Sequence, residues 1–306
     1  MSLLTKNKYK NPFQGNIFLA TYRTSFITLI RSPLFWAALL ILIAMVASRV
    51  LGRNYGYVKI LDDGSISNMI YDTDPEYVLE YKVYIQVILN LRAWMMIFQV
   101  PIFCIITTFV MLNRNHSDHF FEIERSTGLR NVTYLFARFL AVFTVCLLSA
   151  ILVAMVGVTY YYFSRGGLAQ FTTMEFFADA MPRVIRQVVC SFGPAILFYI
   201  SLAYVVGTLV RNAYAGGVAG IGYVLLHYRA QTTWRMAFPQ YVHDYLTPCP
   251  SHANNYFAWI DTEWFTETTI HNPFSPRDFV IYYSIIFSVI VVFLALSYWS
   301  TAKRTR

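Results

Sequence analysis

Apolar residues in this chain fall into long runs separated by polar, aromatic and proline-containing stretches, and the runs set the first reading. Stretches near the length a bilayer requires, about 20 residues, lie at 33–51, 93–112, 139–161, 188–210, 214–228 and 279–299. They predict six membrane spans. The fifth is short and rich in glycine, which predicts a broken or tilted span. Ahead of the first run, Phe18, Tyr22, Phe26, Leu29 and Ile30 share one helical face, while Asn16, Arg23, Thr24, Thr28 and Arg31 occupy the other. That pattern predicts an amphipathic helix within 12–32, lying in the headgroup layer. Ser32-Pro33, an N-cap followed by proline at the first helical position, predicts the turn from that helix into the first span.

The segments between the runs are unequal. Two are long: 52–92, with its turn signals Asp62-Asp63-Gly64 and Asp72-Thr73-Asp74-Pro75, and 229–278, which mixes aromatics with prolines. Within the first, Tyr77, Tyr81, Tyr84, Ile88 and Leu91 recur at helical spacing; the second predicts short helices near an interface. On the other side of the bilayer only 113–138 exceeds a minimal linker. Pro101 and Pro194 fall inside the second and fourth spans, where a missing N–H permits a kink. Structural bending is the expectation there, ahead of a switch.

Composition agrees with a membrane chain. Of 306 residues 57% are hydrophobic and 13% charged, against roughly 25% charged in a soluble domain, and the mean hydropathy is +0.47. The net charge of +8 is a matter of orientation. With the N-terminus inside, the inner segments hold thirteen of the 24 lysines and arginines but only Asp118, Glu122 and Glu124 of the 16 acids. The positive-inside rule therefore places both termini in the cytoplasm. No basic cluster interleaved with stacking aromatics points to nucleic acid. Arg49, Arg92, Arg183 and Arg186 stand at span ends, where they snorkel to the interface, and Tyr160, Tyr161, Tyr162, Tyr298 and Trp299 fit aromatic belts.

Several chemistries find no support. Cys104, Cys146 and Cys190 lie in apolar runs and Cys249 in an outer loop, a pattern without a disulfide framework. Met1 to Asn11 gives no sign of a removable signal peptide. His116, Asp118, His119 and Glu122 are metal-capable, yet they lack the His-Glu-x-x-His spacing, so no metal site is expected. Asn131-Val132-Thr133 matches a glycosylation sequon but falls on the inner side. No Gly-x-x-x-x-Gly-Lys-Ser/Thr loop is present to cradle a nucleotide. The chain is not expected to be an enzyme, and any ATP-driven work needs a second polypeptide.

The inner segment carries the functional signal. Phe120-Phe121-Glu122-Ile123-Glu124-Arg125-Ser126-Thr127-Gly128-Leu129-Arg130 packs charge, aromatics and a glycine turn into a position where a linker would do. Its charges can orient a partner surface, and Phe120, Phe121 and Ile123 can anchor it; the plainer reading is a solvated helix at the headgroup boundary. In the fifth run, Gly216 and Gly220 form a small-xxx-small pair that lets helix backbones approach in lipid, within the chain or across an interface. Trp94 and Phe98, near the top of the second run, belong to an aromatic belt or to an apolar path.

The in-plane helix ending in Arg31-Ser32-Pro33, the six spans, the Glu124-Arg125-x-x-Gly128-Leu129 loop after span two and the glycine-rich span five together resemble the ABC-2 type ABC transporter permease family over nearly the whole chain. The resemblance implies an all-α integral membrane domain of type V exporter-like architecture. It also implies a coupling helix at Phe120, Phe121, Glu122, Glu124, Arg125, Gly128, Leu129 and Arg130 that docks on an ATP-binding subunit, present in two copies. A second permease subunit, identical or homologous, would pair with this one, with Gly216, Gly220, Trp94 and Phe98 at the dimer seam or translocation path. ATP and magnesium would be held by the partner ATPase, with no cofactor in this chain. Both termini would face the cytoplasm of a bacterial cell. The aromatic content favours a hydrophobic or amphipathic cargo such as a peptide, drug or lipid. The alternative is a membrane sensor or assembly protein that binds a ligand through the outer loops, 52–92 and 229–278.

Overall fold

The computed structural model describes residues 17–51, 56–60, 66–71, 99–117, 131–164, 188–210, 212–232 and 276–302, with a few positions between 178 and 185. Seven α-helices carry these residues: α1 (Ile17–Ile30), α2 (Pro33–Leu51), α3 (Val100–Ser117), α4 (Asn131–Ser164), α5 (Gly193–Val210), α6 (Ala213–Thr232) and α7 (Pro276–Ala302). A π-helical turn, Val188–Phe192, leads into α5. Strands β1 (Gly56–Ile60) and β2 (Ile66–Tyr71) pair antiparallel, Gly56 opposite Tyr71, with a register irregularity between Val58 and Ile60. The turn signal Asp62-Asp63-Gly64 falls between the strands, where a hairpin needs it.

Among the described residues, three stretches are individually long and apolar enough to cross a membrane: Thr133–Tyr160, Val188–Val210 and Tyr283–Ser300. Phe18–Ile30 and Pro33–Ser48 qualify together as one span bent by 63°. Val100–Asn113 and Ala213–Leu226 are shorter apolar helices. The protein is thus a helical chain of membrane type.

Contacts fix the direction of each helix. Leu112 of α3 fills the space beside Gly207 of α5. On α7, Tyr283, Phe293 and Ser300 meet Cys190, Phe198 and Thr208, an almost constant offset along the chain. Helices α3, α5 and α7 therefore run parallel. Helix α6 runs against α3, since Ile105 lies beside Gly220 and Phe109 beside Tyr214. Helix α4 begins where α5 ends, with the rings of Phe139 and Tyr204 6.2 Å apart. One end of the bundle, its foot, accordingly gathers the end of α3, the start of α4, the α5–α6 turn and the end of α7.

The bend between α1 and α2 falls at Arg31-Ser32. Trp36 donates its backbone N–H to the Ser32 carbonyl at 3.4 Å, which leaves Ser32 as the N-cap and Pro33 as the first helical residue. The indole of Trp36 donates to the Ile30 carbonyl, 2.6 Å away, satisfying a group that the break frees. Helix α1 packs along α4, with Phe18 against Phe136. Its polar side is exposed at Arg23, Thr24 and Arg31, as the pattern predicts, but its buried positions are Thr21, Ser25 and Leu29, and the aromatics Phe18, Tyr22 and Phe26 are only half-buried. Small side chains let α1 lie close to its neighbour; bulky ones stay at the rim.

The core is one continuous apolar cluster drawn from every long helix. Buried hydroxyls turn back on their own helices: Thr107 to the Phe103 carbonyl, Thr108 to Cys104 and Ser201 to Phe198, at 2.7–2.8 Å. A hydroxyl satisfied this way adds no unpaired group to an apolar bundle.

Candidate functional site

Helix α4 starts at Asn131, so eight residues of the inner segment 113–138 are helical, and α3 continues to Ser117 at its other edge. What joins the two helices is 118–130. The residues that the resemblance assigns to coupling, Phe120, Phe121, Glu122, Glu124, Arg125, Gly128, Leu129 and Arg130, all lie there, outside the described residues; Trp94 and Phe98, in the second run, also fall outside them.

The helical foot beside that connection is described, and it is aromatic. Phe18 meets Phe136 at 6.1 Å and Phe139 meets Tyr204 at 6.2 Å between ring centroids. Arg138, which the charge pattern treats as an inner-surface base, is buried at 5% exposure. Its guanidinium carbon sits 3.9 Å from the centroid of the Tyr134 ring, four residues back on α4. The i, i+4 spacing stacks the two side chains on one helix face, and a cation over a ring face is favourable where water is excluded. A displacement applied at 118–130 would reach α3 and α4 directly. The sequence gives Arg138 as an inner base; its burial needs the packing of α4.

Gly216 and Gly220 are both described, and both face this chain's own helices. A Cβ at Gly216 would stand 2.5 Å from the Ala203 carbonyl oxygen and 3.1–3.2 Å from Gly207 backbone atoms. At Gly220 it would meet three atoms of the Ile105 side chain at 2.8–3.1 Å. Together with Gly207, whose bare side is filled by Leu112, they make a junction in which α5 and α6 touch at backbone distance and α3 packs its Leu112 and Ile105 side chains against the glycines. The close approach that small-xxx-small spacing permits is used here within one subunit.

The turn that forms this junction is tightly specified. The Asn212 N–H reaches the Gly207 carbonyl at 3.1 Å, the six-to-one bond that closes a helix C-terminus. The Asn212 side chain then accepts the Tyr214 N–H at 2.8 Å and caps α6. Val218, Ile221, Leu225 and Tyr214, whose ring also meets Phe109 of α3, form an exposed apolar stripe on α6.

At the opposite end of the bundle, Gln99 at the entry to α3 is buried, and its side-chain oxygen has no hydrogen-bond partner. A polar group held this way in an apolar bundle is costly and marks a candidate contact for a ligand. Cys104, Cys146 and Cys190 are free thiols. Among the described residues no three metal-capable side chains gather into a cluster. Among the described residues the arrangement is a packed helical bundle with a close helix junction at its foot. In comparisons with known proteins, no family model matches this chain and no curated protein does.

Proposed function

We propose that the chain is the transmembrane subunit of an ATP-driven exporter, with the architecture of the ABC-2 permeases that its sequence resembles. Six spans cross the cytoplasmic membrane, with the α1 helix at its inner face and both termini in the cytoplasm. The subunit works as one of a pair and draws its energy from two separate ATP-binding subunits. ATP-driven closure of those subunits moves 118–130, rocks the spans and opens a path outward for a hydrophobic or amphipathic cargo.

One observation carries the reading. The long, charged inner connection joins the ends of α3 and α4 at the bundle foot, where a push is transmitted to two packed helices at once. A chain without a phosphate loop has a use for such a lever. The sensor reading keeps one point in its favour, the β1–β2 hairpin in the 52–92 segment, which could present a ligand surface.

Copurification separates the two. Transport predicts capture of a P-loop protein of one to two domains, roughly 25–35 kDa, and ATPase activity in the purified complex. Glu124→Arg combined with Gly128→Trp should lower capture at least about tenfold, since a reversed charge and a blocked turn at the centre of an interface cost on the order of 2 kcal/mol or more. Undiminished capture by this double variant would remove the coupling assignment. A sensor would capture no ATPase.

A further inference from the structure

Pro194 leaves a gap in the backbone ladder of α5. Proline has no N–H, so the carbonyl four residues earlier, that of Cys190, loses its α-helical donor. The chain at this level is the π-helical turn Val188–Phe192. Gly193 follows it, a buried residue at which a Cβ would meet nothing within 4 Å. Wide turns and prolines are where helices bend.

The freed carbonyl has a partner from elsewhere in the chain. Tyr283 of α7 donates its hydroxyl to Cys190 at 2.8 Å, across 93 residues of sequence. At the foot of the bundle, Ser300 donates to the carbonyl of Thr208 at 3.1 Å, in the last turn of α5. Between these two bonds the ring of Phe293 packs on Phe198, 5.9 Å between centroids. Helix α7 is tied to α5 at both ends.

We propose that the outer turn of α5, 188–194, is a hinge, that the Tyr283 hydroxyl is its latch, and that α7 is the rod linking it to the foot of the bundle. An unpaired carbonyl is costly in an apolar bundle, so the latch opens only where water replaces the hydroxyl. The closed hinge is dry and the open hinge hydrated. The space beside Gly193 gives the turn room to move without displacing a side chain. The latch itself follows from the geometry; its use as the outer gate of an exporter rests on the transport reading above.

Hydrogen–deuterium exchange on the full chain in lipid nanodiscs tests it, read at the amides of 188–197. Tyr283→Phe keeps the ring and its contact with Phe287 and removes the hydroxyl. Exchange there should rise about three- to fifteen-fold, the range that interhelical hydrogen bonds in membranes span, while α4 is unchanged. Pro194→Ala returns an N–H to the Cys190 carbonyl, so adding Tyr283→Phe in that background should change exchange by less than about twofold, and this double variant also covers a poorly folding single one. Equal exchange in the parent chain and Tyr283→Phe would overturn the latch. An equal rise in both backgrounds would overturn it too, because ring packing and not the donor would then hold the turn. If the exporter reading fails, no ATPase is captured and the exchange pattern stands.

Discussion

Helices α6 and α7 both pack on α5, and they do so by opposite means. Helix α6 arrives backbone to backbone, at a junction where Gly216 has no space for even one added carbon. Helix α7 lies along the length of α5 by one face, with only 22% of its apolar stretch buried against 76% for the Val188–Val210 stretch it lies on, and with a hydrogen bond at each end. The first contact depends on atoms that are missing, the second on atoms that are present. A joint of the first kind is fixed, because interiors at crystal-like density do not slide. A joint held by hydroxyls on carbonyls can open and close when water takes their place.

The comparison breaks most visibly at Gly216. Alanine gains about 1 kcal/mol of helix propensity there, but its Cβ would stand 2.5 Å from the Ala203 carbonyl oxygen, a backbone atom that cannot turn aside. Gly216→Ala should lose about 3 kcal/mol net, seen as a lower melting temperature in detergent or as loss of monodisperse protein. Wild-type stability would mean that α5 and α6 do not cross at backbone distance.

A smaller loss is expected one turn along. The Cβ of Gly220→Ala would meet the side chain of Ile105, which can rotate, so the cost should be about 1.5 kcal/mol. Ile105→Val in the same chain should recover part of it by removing one of the obstructing carbons. Absence of recovery would place the clash elsewhere.

On the α7 side the effects are those of single hydrogen bonds. Tyr283→Phe should cost about 1 kcal/mol in thermal stability, and Ser300→Ala, with the longer bond, about 0.5 kcal/mol. The two losses should add, since the sites are at opposite ends of the seam. Strong non-additivity would show that α7 moves as a rigid rod even in the resting protein.

Much of the helical plan is legible in the sequence because lipid leaves a backbone few alternatives. The run at 188–210 coincides with the π turn plus α5, and Ser32-Pro33 starts α2 where the capping rules put it. Helix α4 departs from this agreement, beginning at Asn131 instead of 139. A hydropathy run stops at a charge, and Arg138 is a charge; in the structure the guanidinium is buried on Tyr134 and the helix passes through it. Strands β1 and β2 were hidden for a different reason. Their turn signal is clear, but strand pairing is a contact between segments, and the short alternating runs around it are weak patterns beside the long apolar ones. The coupling residues 120–130 fall outside the described residues, so their assignment still rests on charge and on resemblance.

By itself the sequence determined that this chain is of membrane type and where most of its helices run. Each of these depends on local composition and on the cost of exposing backbone to lipid. Tertiary structure alone decided what the glycines and the hydroxyls are for. Gly216 and Gly220 become an internal junction, and Tyr283 becomes a donor to the carbonyl whose α-helical partner Pro194 removes. A missing side chain or a spare hydroxyl has no meaning until a second helix is placed against it. That placement depends on contacts separated by 93 residues and more along the chain.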